Sequence, residues 1–278
     1  MIKHTISGNG ISFSKIFNDK KSIALYFPKD FGMNYEIVKE TIRWTPCFQT
    51  MLLVLPEYQR NFFNALIDEP SVNIEALEEH SPSGKDNLVL ILSRNKQTQK
   101  KAEGNSSSAT FGFGKSVNVR FNPPVESPLE LCRNMAELLQ IKPSKEAKGK
   151  KFPGTPQELF DNVFQERKFV FDINNPITRI GIRLLMKKYS SPYEYLFVKT
   201  KFPKSKSHLV KLLPETKSPK HYPLRYDLYE IVKHCNQSKI VITDNKSFFD
   251  LLTNFPLQNR LLFCKGLFLN HKVSDYLK

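Results

Sequence analysis

The stretch KIVITDNKSFFDLLT, residues 239 to 253, is where this sequence comes nearest to chemistry. Ile240, Val241 and Ile242 form a short β-branched apolar run. Thr243, Asp244 and Asn245 interrupt it, and Phe248, Phe249, Leu251 and Leu252 then recur at helical spacing. The pattern predicts a buried strand that runs through a polar turn into a helix. Such turns are where many α/β proteins hold a phosphate or a sugar.

Other constellations carry less. The chain has no G-x-G-x-x-G, P-loop, H-E-x-x-H or G-x-S-x-G. GFGKS at Gly112–Ser116 lacks the earlier glycine and the spacing that wraps a phosphate in backbone N–H groups, so a plain turn between strands is expected there. The six histidines are scattered, and His234 falls near the end of a helix, in a packed or solvent-facing role. No metal site and no cofactor are expected, because no set of ligands has metal-binding spacing. Aromatics beside cations, as at Phe202 among lysines and Tyr222 and Tyr226 near Arg225, are what single-strand binders use. No nucleic-acid-binding motif accompanies them, so nucleic acid is the least favoured partner.

The elements that must position these residues alternate. Expected strands are Ser22–Pro28, Thr50–Leu55, Asn87–Ser93, Ser108–Phe111, Val117–Phe121, Lys168–Ile173, Glu194–Lys199, His208–Leu213, Lys239–Thr243 and Arg260–Cys264. Several are near-continuous apolar runs, which suit a parallel sheet covered on both faces. Expected helices are Asn34–Trp44, Glu57–Ile67, Pro128–Leu139, Pro156–Phe164, Pro176–Tyr189 and Asp227–Gln237. Ser127-Pro128 and Thr155-Pro156 supply an N-cap with proline in the first turn. Lys96–Ser108 is polar and serine-rich and is expected to be a loop. Ile141–Pro156, with five lysines, three prolines and two glycines, is the expected linker between two α/β halves.

A length of 278 residues accommodates two domains, and 40% hydrophobic residues suffice for real cores. The net charge of +15 favours an anionic partner. Cys47, Cys132, Cys235 and Cys264 form no C-x-x-C pair and are expected to be reduced core thiols of an intracellular protein. Residues 2 to 18 lack the apolar core of a signal peptide, and no apolar run, Met51–Leu55 included, is long enough to span a bilayer. The expectation is a protein that is soluble or lies on a membrane without crossing it.

Four blocks resemble glycosyltransferase family 9, the heptosyltransferases of lipopolysaccharide synthesis. SIALYFPKDFGMNYEIVKETIRW (Ser22–Trp44) resembles the family's opening strand, turn and helix. NLVLILSRNKQTQKKAEGNSSSATFGF (Asn87–Phe113) is similar to its next block, and SPLELCRNMAELLQI (Ser127–Ile141) to the helix before the interdomain linker. LYEIVKHCNQSKIVITDNKSFFDLLTNFPLQNRLLFCKG (Leu228–Gly266) follows the family order of helix, strand, polar turn, helix, strand.

The resemblance implies an α/β, GT-B-like fold: two Rossmann-like domains facing across a cleft. Residues 1–145 would form the acceptor-side domain and 146–278 the nucleotide-sugar side. It implies Asp30 as the base on the acceptor hydroxyl. The donor would lie against Asn174, Asn175, Arg179, Thr243, Asp244, Asn245, Lys246 and Ser247, with Arg179 or Lys246 on its phosphates. A cation there meets the charge that builds on the leaving diphosphate without a metal. The expected partners are an ADP- or UDP-linked sugar, an anionic glycolipid or membrane surface, and a protein partner. The expected location is the cytoplasm, with a peripheral place on the inner membrane.

The departures from the family lie at the donor turn and at FDINNPITRIG (Phe171–Gly181), which has no glycine at its turn where the family has a Pro-Gly-containing loop. The family turn reads Thr-Asn-Asp-Ser-Gly-Pro-Met-His-Leu-Ala, and here acid and amide are swapped at Asp244 and Asn245. Ser247 stands at the glycine, and Asp250 at the histidine. An alternative therefore stands beside the enzyme: a catalytically inactive scaffold serving as an interaction module.

Overall fold

The computed structural model describes residues 5–8, 22–82, 88–104, 109–114, 117–122, 124–141, 165–176, 178, 180, 194–198, 200, 227–255 and 260–263. The chain divides into two compact units, Met1–Thr155 and Pro156–Lys278. The expected strand at 208–213, the helix at 156–164 and nearly all of the expected linker lie outside the described residues.

In the first unit, β1 (Thr5–Gly8) is followed by β2 (Ser22–Tyr26), α1 (Phe31–Thr41), a 3₁₀ turn (Ile42–Cys47), β3 (Thr50–Leu55), α2 (Glu57–Leu66) and β4 (Val72–Ala76). Then come β5 (Leu88–Ile91), α3 (Lys96–Glu103), β6 (Ala109–Gly112), β7 (Val119–Asn122) and α4 (Pro128–Leu138). Five strands form one parallel sheet in the order β4-β3-β2-β5-β6. This is the Rossmann order, with a switch point between β2 and β5. Ile23 to Tyr26 and all of β5 are buried, which accounts for their unbroken apolar runs. β1 and β7 pair antiparallel as a separate ribbon.

The second unit contains β8 (Gln165–Asp172), β9 (Glu194–Val198), α5 (Leu228–Gln237), β10 (Ser238–Thr243), α6 (Lys246–Leu252) and β11 (Arg260–Phe263). Its four strands are parallel, in the order β11-β10-β8-β9. Leu228, Ile231, Val232 and Cys235 give α5 its buried stripe, and Phe248, Leu251 and Leu252 do the same for α6.

Several expected elements differ. The first helix begins at Phe31 because Asp30 caps it, its Oδ1 accepting the N–H of Met33 at 2.9 Å. It becomes a 3₁₀ turn at Ile42, just ahead of Pro46, which supplies no N–H and disfavours an α conformation at Thr45. Residues 96–103, expected as loop, form α3, capped by Asn95 and burying only Thr98 and Ala102. Strand β4 was not expected, because it is a sheet edge whose residues alternate half-buried and exposed.

Cys132 and Cys235 are buried thiols, and Cys47 is half-buried. His234 meets the buried Lys168, whose Nζ lies 3.0 Å from its Nδ1. Behind β2, the buried Tyr26 hydroxyl lies 2.8 Å from Nε2 of buried His80. The Nδ1 of that ring is 2.6 Å from a Glu75 carboxylate oxygen. No helix among the described residues is long and apolar enough to cross a membrane.

Candidate functional site

Of the second unit's strands, β8 comes first in the chain. The chain moves to β9 on one side and then to β10 on the other. The switch point therefore lies between the carboxyl ends of β8 and β10, where open α/β sheets bind ligands. Asp172 ends β8 and Thr243 ends β10, and the two are register partners. Asn174 and Asn175 follow the first strand, Asp244 and Asn245 the second. Sequence-predicted residues from segments 70 positions apart thus meet at one sheet edge.

Two carboxylates organise that edge. Asp172 is fully buried. It accepts the Thr200 N–H at 2.9 Å, the Thr200 hydroxyl at 2.5 Å and the Thr243 hydroxyl at 2.7 Å. Burial pushes its carboxyl up to about 6, against the pull of the Thr200 and Thr243 donors, and nearby Asp244 adds to the rise. Asp172 and Thr200 were missed in the sequence. The one signal was an acid closing the apolar run KFVF, since a carboxylate in a strand buried on both faces must find donors.

Asp244 ties the two turns together. Its carboxylate accepts the N–H of Asn174 and the N–H of Asn175, each at 2.8 Å, and the Asn174 side-chain amide at 2.8 Å. Consecutive backbone N–H groups in a turn are what an anion-binding loop offers. Here the protein's own carboxylate takes them.

Asn245 completes the cluster. Its side-chain amide donates to Thr200 Oγ1 at 2.8 Å, and its carbonyl oxygen accepts the Ser247 N–H and caps α6. Its backbone N–H donates to Thr243 Oγ1 at 2.9 Å. Asn175 accepts the Thr178 N–H at 3.3 Å where a helix opens at Pro176.

The remaining predicted residues do other work or fall elsewhere. Lys246 is exposed on α6, paired with Asp250 one turn on, its ammonium 5.1 Å from the Phe249 ring centre and 5.8 Å from that of Phe263. Arg179 lies outside the described residues. Asp30 is exposed at the carboxyl edge of the first unit's sheet, beside its own switch point, and one of its oxygens caps α1. Among the described residues, no group of His, Cys, Asp and Glu could hold a metal ion.

The comparisons bear on the fold. No protein-family model matches the sequence, and no curated protein matches it. The structure is similar to the ADP-heptose LPS heptosyltransferase II of E. coli, with a TM-score of 0.51 and 12% identity over 87% of this chain and 83% of that one. Two further solved structures align at lower scores. A glycosyl transferase family 9 protein from Veillonella parvula gives 0.49, at 12% identity over 93% of this chain and 89% of that one. An E. coli heptosyltransferase solved with ADP gives 0.48, at 9% identity over 87% and 86%. The fold class is α/β and GT-B-like. At 12% identity the likeness speaks to fold alone.

Proposed function

We propose that the protein is a GT-B-type glycosyltransferase that moves a sugar from an ADP- or UDP-linked donor to a glycolipid or glycan acceptor of the cell envelope. The observation that carries this reading is the polar cluster at the switch point of the second unit's parallel sheet. In it the donor sits over Asn174, Asn175, Thr243, Asp244, Asn245 and Ser247. Asp30 takes the proton of an acceptor hydroxyl, and that oxygen bonds to the anomeric carbon. The carbon's bond to the diphosphate breaks, and the nucleoside diphosphate leaves with the electron pair. Arg179 and Lys246 meet the charge that builds on it.

Asp30→Asn tests the base with little disturbance of folding, because asparagine caps a helix as well as aspartate does. Release of nucleoside diphosphate from the donor in the presence of acceptor should fall by about a hundredfold or more, with melting unchanged. An Asp30→Asn enzyme that turns over like the wild type excludes Asp30 as the base.

One observation favours a second reading, the non-catalytic scaffold. The amide pair after β8 is already filled by Asp244. A diphosphate drawn to those N–H groups would also meet that carboxylate's charge. If no nucleotide-sugar binds, the second reading replaces the first.

A further inference from the structure

The first unit has a cavity of about 410 Å³ at the carboxyl edge of its sheet, roofed by β7 and the loop to α4. Its lining residues all belong to the first unit, whereas the predicted donor residues belong to the second. Arg94, three residues beyond β5, and Arg120, on β7, both line it. Phe113, Phe121, Val125 and Leu131 supply apolar wall. Among the described lining residues there is no carboxylate.

Among the described residues, no ion pair engages either guanidinium. The Arg94 guanidinium donates to the Glu126 carbonyl at 2.6 Å and lies 4.7 Å from the Phe113 ring centre. Those two contacts hold it in place while using one of its five N–H donors. Among the described residues, no hydrogen bond or ion pair engages the guanidinium of Arg120. The turn beneath is fixed by backbone geometry. Gly112 has φ +115°, and a Cβ there would sit 2.1 Å from the Ile91 carbonyl oxygen, so Phe113 reaches the wall only because residue 112 is glycine.

We infer that this cavity binds an organic anion, with a phosphate or carboxylate group on the Arg94 and Arg120 guanidiniums and a flat or apolar body against Phe121, Val125 and Leu131. Two guanidiniums that no described carboxylate pairs with supply fork-shaped recognition of an oxyanion. The walls remove the apolar part from water, and the volume lies within the range of small-molecule sites.

The test is a fluorescence titration of the whole chain with naphthyl phosphate, naphthoate, naphthol and inorganic phosphate, with melting curves as the folding control. Naphthyl phosphate should bind saturably and weaken as salt rises. Naphthol and inorganic phosphate should each bind at least about tenfold more weakly, since each lacks one half of the recognition. Naphthoate distinguishes a carboxylate ligand from a phosphate one and should bind better than naphthol. Arg94→Ala and Arg120→Ala should each weaken naphthyl phosphate about ten- to a hundredfold, with the melt unshifted for Arg120→Ala and lowered only slightly for Arg94→Ala, which also loses its Glu126 and Phe113 contacts. Val125→Asp, which sets a negative charge in the wall, should weaken it too. No saturable binding by the wild type, or binding that survives both arginine variants, overturns the inference. Loss in one arginine variant alone overturns the two-guanidinium site.

Discussion

Asp244→Ala tests whether the carboxylate is a strut between the turns after β8 and β10. It removes the acceptor of two backbone N–H groups and one side-chain amide. Hydrogen bonds to a charged group contribute about 1.5–3 kcal/mol each. Asn175 is exposed and Asn174 half-buried, so water replaces part of what is lost. A further offset is relief of the repulsion that Asp244 exerts on Asp172. The net cost should be about 2–3 kcal/mol. Asp244→Asn, which keeps one acceptor oxygen and removes the charge, should cost about 1 kcal/mol. The single tryptophan, Trp44, belongs to the first unit, so its emission is the wrong reporter. Urea unfolding followed by far-ultraviolet circular dichroism gives the stability. Amide exchange at residues 174 and 175 gives the local effect, and protection there should collapse in the alanine variant. Unchanged stability with unchanged protection at both amides would refute the strut.

Three further outcomes follow from the packing. Because Asp172 holds its proton to about pH 6 when folded and to about 4 when unfolded, the native state binds more protons between those values. Stability should therefore fall as pH rises from about 4 to about 6, by roughly 3 kcal/mol from this group. Asp172→Asn should abolish that component, and a wild-type-minus-variant difference that stays flat across the window contradicts it. Phe248→Ala should cost about 3–5 kcal/mol, because that ring is fully buried, whereas Phe249→Ala should cost clearly less, its ring being half-buried against Phe263; equal losses in urea unfolding would contradict the assignment. Tyr26→Phe should cost about 1–3 kcal/mol by leaving the buried Nε2 of His80 without its hydroxyl partner, and an unchanged unfolding midpoint would count against it.

Packing was legible in the sequence wherever a segment is buried on both faces. The runs IALY, LVLI and KIVIT read as central strands because nothing polar interrupts them. Helix starts were legible where the cap is local, as at Ser127-Pro128, where the serine hydroxyl accepts the Glu130 N–H. Legibility failed for α3 and β4, whose buried faces consist of two small residues and of alternate half-buried ones.

At the candidate site, the sequence pointed to the two turns but not to the contacts between them. Asp244, Asn245 and Thr243 look like ligand residues by type. Among their partners are Asn174, Asn175, Thr200 and Asp172, which lie 45 to 71 positions away from them. No local pattern encodes such pairings, because the sheet order alone creates them. The same holds for Arg94 and Arg120, which share a cavity only after β7 folds back over the carboxyl edge of the sheet.

Calorimetric titration of the whole protein with ADP, UDP and their sugar conjugates tests most directly whether this chain binds a nucleoside-diphosphate sugar. Saturable binding is expected for one nucleotide series, tighter for the sugar conjugate than for the free diphosphate. A loss of about tenfold or more is expected when Arg179 or Lys246 becomes alanine. Absence of binding heat across the panel, from protein whose melting curve shows it folded, would contradict the enzyme and leave the scaffold.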